Sequence, residues 1–152
     1  AEAQVFQRDV IGELRHQANI QLVRRLVDAE NAGDVEAYAA ILAPDVEVWV
    51  NGVQTVSSRD GQRASLEAAL RAFPDWRRET LGIFVDGDTA VLRWRGSGTH
   101  SAEWAGIPAS GNRVEFHGTS TAEIVGGLAR RIWIDMDMAG VIRQMTATGT
   151  NQ

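Results

Sequence analysis

The segment WRRETLGIFVDGDTAVLRWRGSGTH, residues 76–100, decides the fold. Two runs rich in β-branched and aromatic residues, WRRETLGIFV and TAVLRWRGSGTH, flank Asp86-Gly87-Asp88, and a short Gly-centred turn between such runs is a hairpin signal. The design repeats downstream, where RVEFHGTSTAEIV and LARRIWIDMD flank Gly126-Gly127. A Gly- and Pro-containing loop, SAEWAGIPASGN, joins the two hairpins. This half of the chain therefore reads as an antiparallel meander. Gly96, Gly98 and Gly118 fall inside its strands, where glycine marks bulges or bends.

Upstream the period changes. Ile11, Leu14, Ala18, Leu22 and Leu26, with Ile20, Val23 and Val27, recur at helical spacing and predict one long helix, preceded by a flexible tail over about residues 1–9. Gly33 suits a left-handed C-terminal cap, and Asp34 caps a second helix, VEAYAAIL, stopped by Pro44. DVEVWVNG alternates as a strand and ends in the Asn51-Gly52 turn. Ser65 to Phe73 is a third amphipathic helix, closed by FPD. Helices first and strands after predict a single α+β domain over 1–152, with three helices against a curled, mostly antiparallel sheet. Such a helix-lined cone has one open mouth and encloses a ligand pocket.

Composition limits what that pocket serves. The 152 residues are 44% hydrophobic and carry a net charge of −5, with the basic residues scattered. Nucleic-acid binding needs a concentrated positive surface, so it is excluded as an expectation. The chain has no cysteine, hence no thiolate nucleophile and no Cys-based metal or iron–sulfur site. That is compatible with a cytoplasmic protein. No stretch is apolar for long enough to span a membrane, and AEAQVFQRDV has no apolar core of a signal peptide. Three histidines, at 16, 100 and 117, make no H-x-H or H-E-x-x-H spacing; His100 with Glu103, and Glu115 with His117, each offer only two loosely spaced ligands, a weak metal signal. No motif for flavin, haem or a transition metal is present, so no cofactor is expected.

Several residues can carry chemistry. Trp49, Trp76, Trp94, Trp104 and Trp133 can line a pocket for a flat polycyclic ligand or pack between sheet and helices; Trp104 lies in the loop after His100, where a mouth would be. Arg93 and Arg95 share one strand face and Trp94 takes the other. An arginine there binds phenolate, enolate or carboxylate oxygens, or sits on a solvated face. Asn51 is a pocket donor or a turn residue. Glu30, near the end of the first helix, is a base if partly buried, or a surface residue. His117 shares a face with Glu115, while Phe116, Gly118 and Ser120 share the other.

Taken together, LVRRLVDAENAGDVEAYAAILAPDVEV, AFPDWR, GSGTH, GIPASGNRVEF and the closing W-x-x-x-D with RQM resemble the SnoaL-like branch of the nuclear-transport-factor-2-like superfamily, over about residues 20–145. The resemblance implies the superfamily's α+β barrel, self-association through the open sheet face, and a cofactor-free enzyme of aromatic, anthracycline-type polyketide biosynthesis. It offers ring closure by intramolecular aldol condensation, or hydroxylation of the same kind of substrate. The cyclases' interior Asp on the last strand falls on Ile134, its supporting His on Ser120, a Tyr near the end of helix 1 on Glu30, and an Asn of helix 3 on Ser65. Asp137 matches a family aspartate at the strand's end, in a position to cap the following MAGVIRQM turn. The related limonene epoxide hydrolases fit poorly: their arginine falls on Arg95, but their acids fall on Ser97 and Ile134.

Alternation agrees with that loss. Ile132, Ile134 and Met136 share one face, and Trp133, Asp135 and Asp137 the other. An isoleucine cannot move a proton. The sequence therefore favours a cofactor-independent hydroxylase that uses dioxygen on a reduced polycyclic aromatic, supplied by a separate reductase. Arg95 and His100 would hold its oxyanion, with Trp49, Asn51, Trp104, Phe116, Ser120, Ile134 and Glu30 around the substrate. The competing reading is a cyclase with relocated acid–base groups, Asp135, His117 or Glu30. A third is a small-ligand-binding module without catalysis.

Overall fold

The first helix, α1 (Glu2–Ala32), continues unbroken back through the segment read as a tail. In the computed structural model, which describes residues 2–149, that segment is helical because Glu, Ala, Gln and Arg favour helix and no Pro or Gly interrupts before Gly12. Only the second half of α1 packs on the domain, through Leu22, Val23, Val27, Ala29 and Glu30. Ile11 and Leu14, which the periodicity would bury, stand in solvent at 62% and 65% exposure. Gly33, at φ +67°, ends the helix in the left-handed region, with its N–H and that of Asp34 returning to the carbonyls of Glu30 and Ala29.

Helix α2 (Val35–Ala39) is shorter than its pattern suggested. The Asp34 side chain accepts from the Ala37 N–H at 3.0 Å, but by Leu42 the chain is already in β1 (Leu42–Val50). Pro44 lies inside that strand, between Leu42 and Glu47, where the pairing with the last strand is irregular and a missing N–H costs least. Asn51-Gly52, both at positive φ, turn β1 into β2 (Val53–Val56). Helix α3 (Arg59–Ala72) starts earlier than Ser65, because Ser58 caps it by accepting from the Gly61 N–H at 3.1 Å.

Strands β3 (Arg77–Asp86), β4 (Thr89–Thr99), β5 (Arg113–Val125) and β6 (Leu128–Met136) form the expected meander. The six strands lie in the order β2-β1-β6-β5-β4-β3, antiparallel except where β1 runs parallel to β6. Gly96, Gly98 and Gly118 are not bulges; an irregularity falls between Thr80 and Gly82 of β3 instead. The β4–β5 register runs unbroken from Thr89 opposite Glu123 to Thr99 opposite Arg113. Bare backbone instead gives aromatic rings room: a Cβ at Gly96 would stand 2.2 Å from the Trp76 ring, and one at Gly118 only 2.1 Å from Trp94. The segment read as a turn after β6 is a fourth helix, α4 (Met138–Thr146), capped as expected by Asp137, which accepts from the Gly140 N–H at 2.9 Å. Its amphipathic face buries Val141 and Met145, a pattern too short to show clearly in the sequence. The helices and the concave face of the sheet thus form the predicted cone. Among the described residues no helix is long and apolar enough to cross a membrane.

Candidate active site

Inside the cone lies a cavity of about 320 Å³. Phe73, Trp76, Trp94, Trp104 and Phe116 form an aromatic wall, and Val48, Val50, Leu66, Ile134 and Met136 an aliphatic one. The rings support one another. Trp76 and Trp94 lie 5.5 and 5.6 Å from Phe116, and the edge of Trp104 meets Phe73 at 5.6 Å. The strand glycines make this wall possible, since a methyl at 96 or 118 would push the indoles into the cavity.

One polar cluster breaks the apolar lining. Glu30, from the last turn of α1, pairs with Arg78 of β3 at 3.2 Å, their side chains 8% and 12% exposed. The Trp76 indole N–H also donates to Glu30 Oε1, at 3.2 Å. Glu30 Oε2 and Arg78 Nε are buried without a hydrogen-bond partner among the described residues. The Arg78 guanidinium lies 4.3 Å from the centre of the Trp94 ring, a cation–π contact. The backbone of Arg78 is fixed by Asn31, whose carboxamide donates to its carbonyl at 2.8 Å and accepts from its N–H at 2.7 Å. Tyr38 also lines the cavity, and its hydroxyl accepts from Gln62 Nε2 at 3.0 Å. Burial first, and the Glu30 charge second, push the Tyr38 hydroxyl up to about 12. It is therefore a hydrogen-bond donor at any ordinary pH. An acid, a cation and a neutral phenol so face an aromatic chamber, a set that can take a proton and hold the resulting oxyanion.

The structure divides the residues singled out in the sequence. Glu30, Trp104, Phe116 and Ile134 line the cavity. Ile134 faces in and Asp135 faces out, as alternation required. Asp135 is exposed on the convex side, opposite Thr119, and contributes no carboxylate to the cavity. His117 is exposed on that side as well. Arg95 is also outside. Its guanidinium is held by Glu79 and Glu115 on the convex face, and the hydrogen bond to Glu79 raises its pKa further. His100 is fully buried behind Phe73, stacked on that ring at 5.5 Å, with Nδ1 2.9 Å from Ser110 Oγ. It anchors the 101–112 loop and does not line the cavity, because the chain turns inward under the end of α3. Trp49 faces out beside Trp133. Asn51 serves the turn, its side chain accepting from the Met136 N–H at 2.9 Å. Ser120 supports the wall from behind, accepting from the Trp94 indole N–H at 3.0 Å. Among the described residues no three His, Asp or Glu side chains converge as a metal site would require.

Trp76 and Trp94 line the cavity, the first of the two roles that the sequence left open for them, whereas Arg78, Tyr38 and Gln62 were not assigned to the site from sequence. Strand alternation could have given Arg78, since it shares the face of Trp76 two residues before it. Tyr38 carried a signal only as the chain's single tyrosine.

A cone of this topology around an aromatic, polar-tipped chamber is the nuclear-transport-factor-2-like fold. The chain belongs to the SnoaL-like polyketide cyclase family, whose profile matches residues 20–145. TsrD from Streptomyces laurentii is 28% identical, with a TM-score of 0.78 over 87% of this chain and 97% of its own. AclR, a candidate hydroxylase from Streptomyces galilaeus, is 24% identical, with a TM-score of 0.77 over 89% and 99%. A candidate SnoaL-like polyketide cyclase from Jannaschia sp. CCS1 shares the fold at 20% identity, with a TM-score of 0.82 over 88% and 94%. Among curated proteins there is no sequence match.

Proposed function

We propose that this protein is a tailoring enzyme of aromatic polyketide biosynthesis that forms a substrate enolate or phenolate at the Glu30–Arg78 pair, and that ring closure by intramolecular aldol condensation follows. One observation carries this reading: a buried carboxylate with an unpartnered oxygen sits beside a buried guanidinium in an aromatic cavity. It offers a relocated acid–base group in place of the one lost at Ile134, and it supports ring closure beside the hydroxylation that the sequence favoured. Glu30 takes the proton from a carbon next to a ketone, and the electron pair moves to the enolate oxygen, held by Arg78. The enolate carbon attacks a second carbonyl of the same molecule, and the new alkoxide recovers the proton from Glu30. No net oxidation occurs and side chains suffice. Tyr38, kept neutral, donates to a substrate oxygen.

Hydroxylation is the second reading, favoured by the lack of an acid at Ile134 on β6. The anion of a dihydroquinone adds dioxygen, and loss of water leaves a hydroxyquinone; a partner reductase supplies the reduced substrate. The same proposal includes self-association through the convex face of the sheet. Trp49, Trp133, Thr121, Val91 and Phe84 form one cross-strand row there.

Turnover of linear polyketide ketones without oxygen, and product free of label under ¹⁸O₂, is the expected result. Label in the product would replace ring closure by hydroxylation. Full activity in Glu30→Gln would end the role of the pair in either reaction.

A further inference from the structure

We propose that Asn31 is a positioning residue for the Glu30–Arg78 pair, holding the backbone of Arg78 while its neighbour Glu30 holds the guanidinium. The inference rests on the proposed role of Arg78 as the oxyanion partner. β3 is an edge strand, and the backbone groups of Arg78 on its free side would otherwise meet solvent. Asn31 answers both, donating to the carbonyl at 2.8 Å and accepting from the N–H at 2.7 Å. These are the two bonds a neighbouring antiparallel strand would exchange with that residue. A carboxamide offers both a donor and an acceptor, whereas an aspartate would set a second acceptor against the carbonyl.

The placement depends on the helix. Successive residues of α1 point about 100° apart. One turn therefore aims Glu30 into the cavity and Asn31 at the strand edge. The left-handed Gly33 follows at once, at φ +67°, so this turn is the last of the helix. Arg78 is thus gripped at its main chain by Asn31, at its charge by Glu30, and on its flat side by Trp94. Releasing the main-chain grip would let the edge strand shift. A displacement of about 1 Å is enough to weaken an oriented charge contact severely.

Alizarin, a flat dihydroxyanthraquinone whose colour reports ionisation, is the probe. Bound beside Arg78, its phenol should ionise about 1–3 pH units below its value in buffer, as a phenol next to an opposite charge does. Arg78→Met should abolish that shift. Asn31→Ala and the near-isosteric Asn31→Asp should each lose at least half of it, with circular dichroism unchanged. Asn19→Ala is the control. That buried amide also anchors α1, donating to the Gly87 carbonyl at 3.0 Å, but lies far from Arg78 along the helix. It should keep the full shift. A folded Asn31 variant that titrates like wild type, while Arg78→Met does not, overturns the positioning role and leaves the Arg78 reading intact. An Asn19→Ala shift as large as that of Asn31→Ala also overturns it, since general loosening then explains both. If wild type gives no shift, or Arg78→Met titrates like wild type, the Arg78 reading itself fails.

Discussion

Glu30 is where a single residue changes the interpretation most. Its carboxylate lies 3.2 Å from Arg78 and both groups are nearly enclosed, so each depends on the other for charge compensation. Glu30→Ala should destabilise the fold by about 3–5 kcal/mol in urea titrations, because it leaves Arg78 buried and unpaired. Glu30→Gln keeps the shape and an acceptor for Trp76 and Arg78 but still leaves the guanidinium charge uncompensated. It should recover only the hydrogen-bond part of that loss, while lowering kcat by roughly 10²–10⁴-fold, the usual contribution of a positioned base. Tyr38 makes an alkaline prediction. Its folded-state pKa of about 12 exceeds the ordinary 10.0. The unfolded chain thus releases this proton first, and stability should fall as pH rises from about 10 toward 12. Melting curves of Tyr38→Phe should lack that part of the decline. If the two proteins fall in parallel, Tyr38 is not the group responsible.

At the scale of elements, the strand glycines and the helix caps set the cavity's walls. A Cβ at Gly118 would stand 2.1 Å from Trp94 and force that ring into the cavity, whereas one at Gly98 would meet Phe73 at a milder 3.1 Å. Gly118→Ala should therefore cost about 1–3 kcal/mol, the range of core overpacking, and Gly98→Ala distinctly less. Gly118→Ala should also weaken alizarin binding, since Trp94 carries the Arg78 guanidinium on its face. Equal melting points for the two variants would show that the sheet absorbs either methyl. Asp137→Ala removes the cap of α4 and should cost about 1 kcal/mol. These devices differ in how visible they are in sequence. Caps and hairpin turns rest on one or two adjacent residues, so Asp34, Asp137, Asn51-Gly52 and Gly126-Gly127 were readable. Gly96 and Gly118 were visible as glycines in strands, but their reason is a ring arriving from a distant residue or a neighbouring strand.

For the whole molecule, the long α1 and the convex sheet face raise separate questions. Every residue from Glu2 to Arg15 is exposed, and the family match begins only at residue 20. Deleting residues 1–10 should leave the melting temperature close to wild type; a large drop would mean that this stretch packs in the native assembly. On the convex face, Phe84 is 59% exposed at the end of the row that starts at Trp49. If the protein self-associates there, Phe84→Glu combined with Trp133→Glu should shift sedimentation from the oligomer to the monomer and leave the cavity intact. An unchanged oligomer would place the interface elsewhere.

The sequence by itself determined the first three helices, the meander and most of its turns, and the inward side of β6, because period, capping and turn chemistry are local; it did not show α4. It also determined that Ile134 cannot act as the acid of the last strand. The tertiary structure decided which polar groups meet. Nothing in the spacing of Glu30, Tyr38, Gln62 and Arg78 joins them; the curl of the sheet and the angle of α1 against its edge do. Packing likewise held Arg95 between Glu79 and Glu115 on the convex face and sealed His100 behind Phe73. Acid–base chemistry depends on distances of a few ångströms between side chains far apart in the chain, and only packing fixes those.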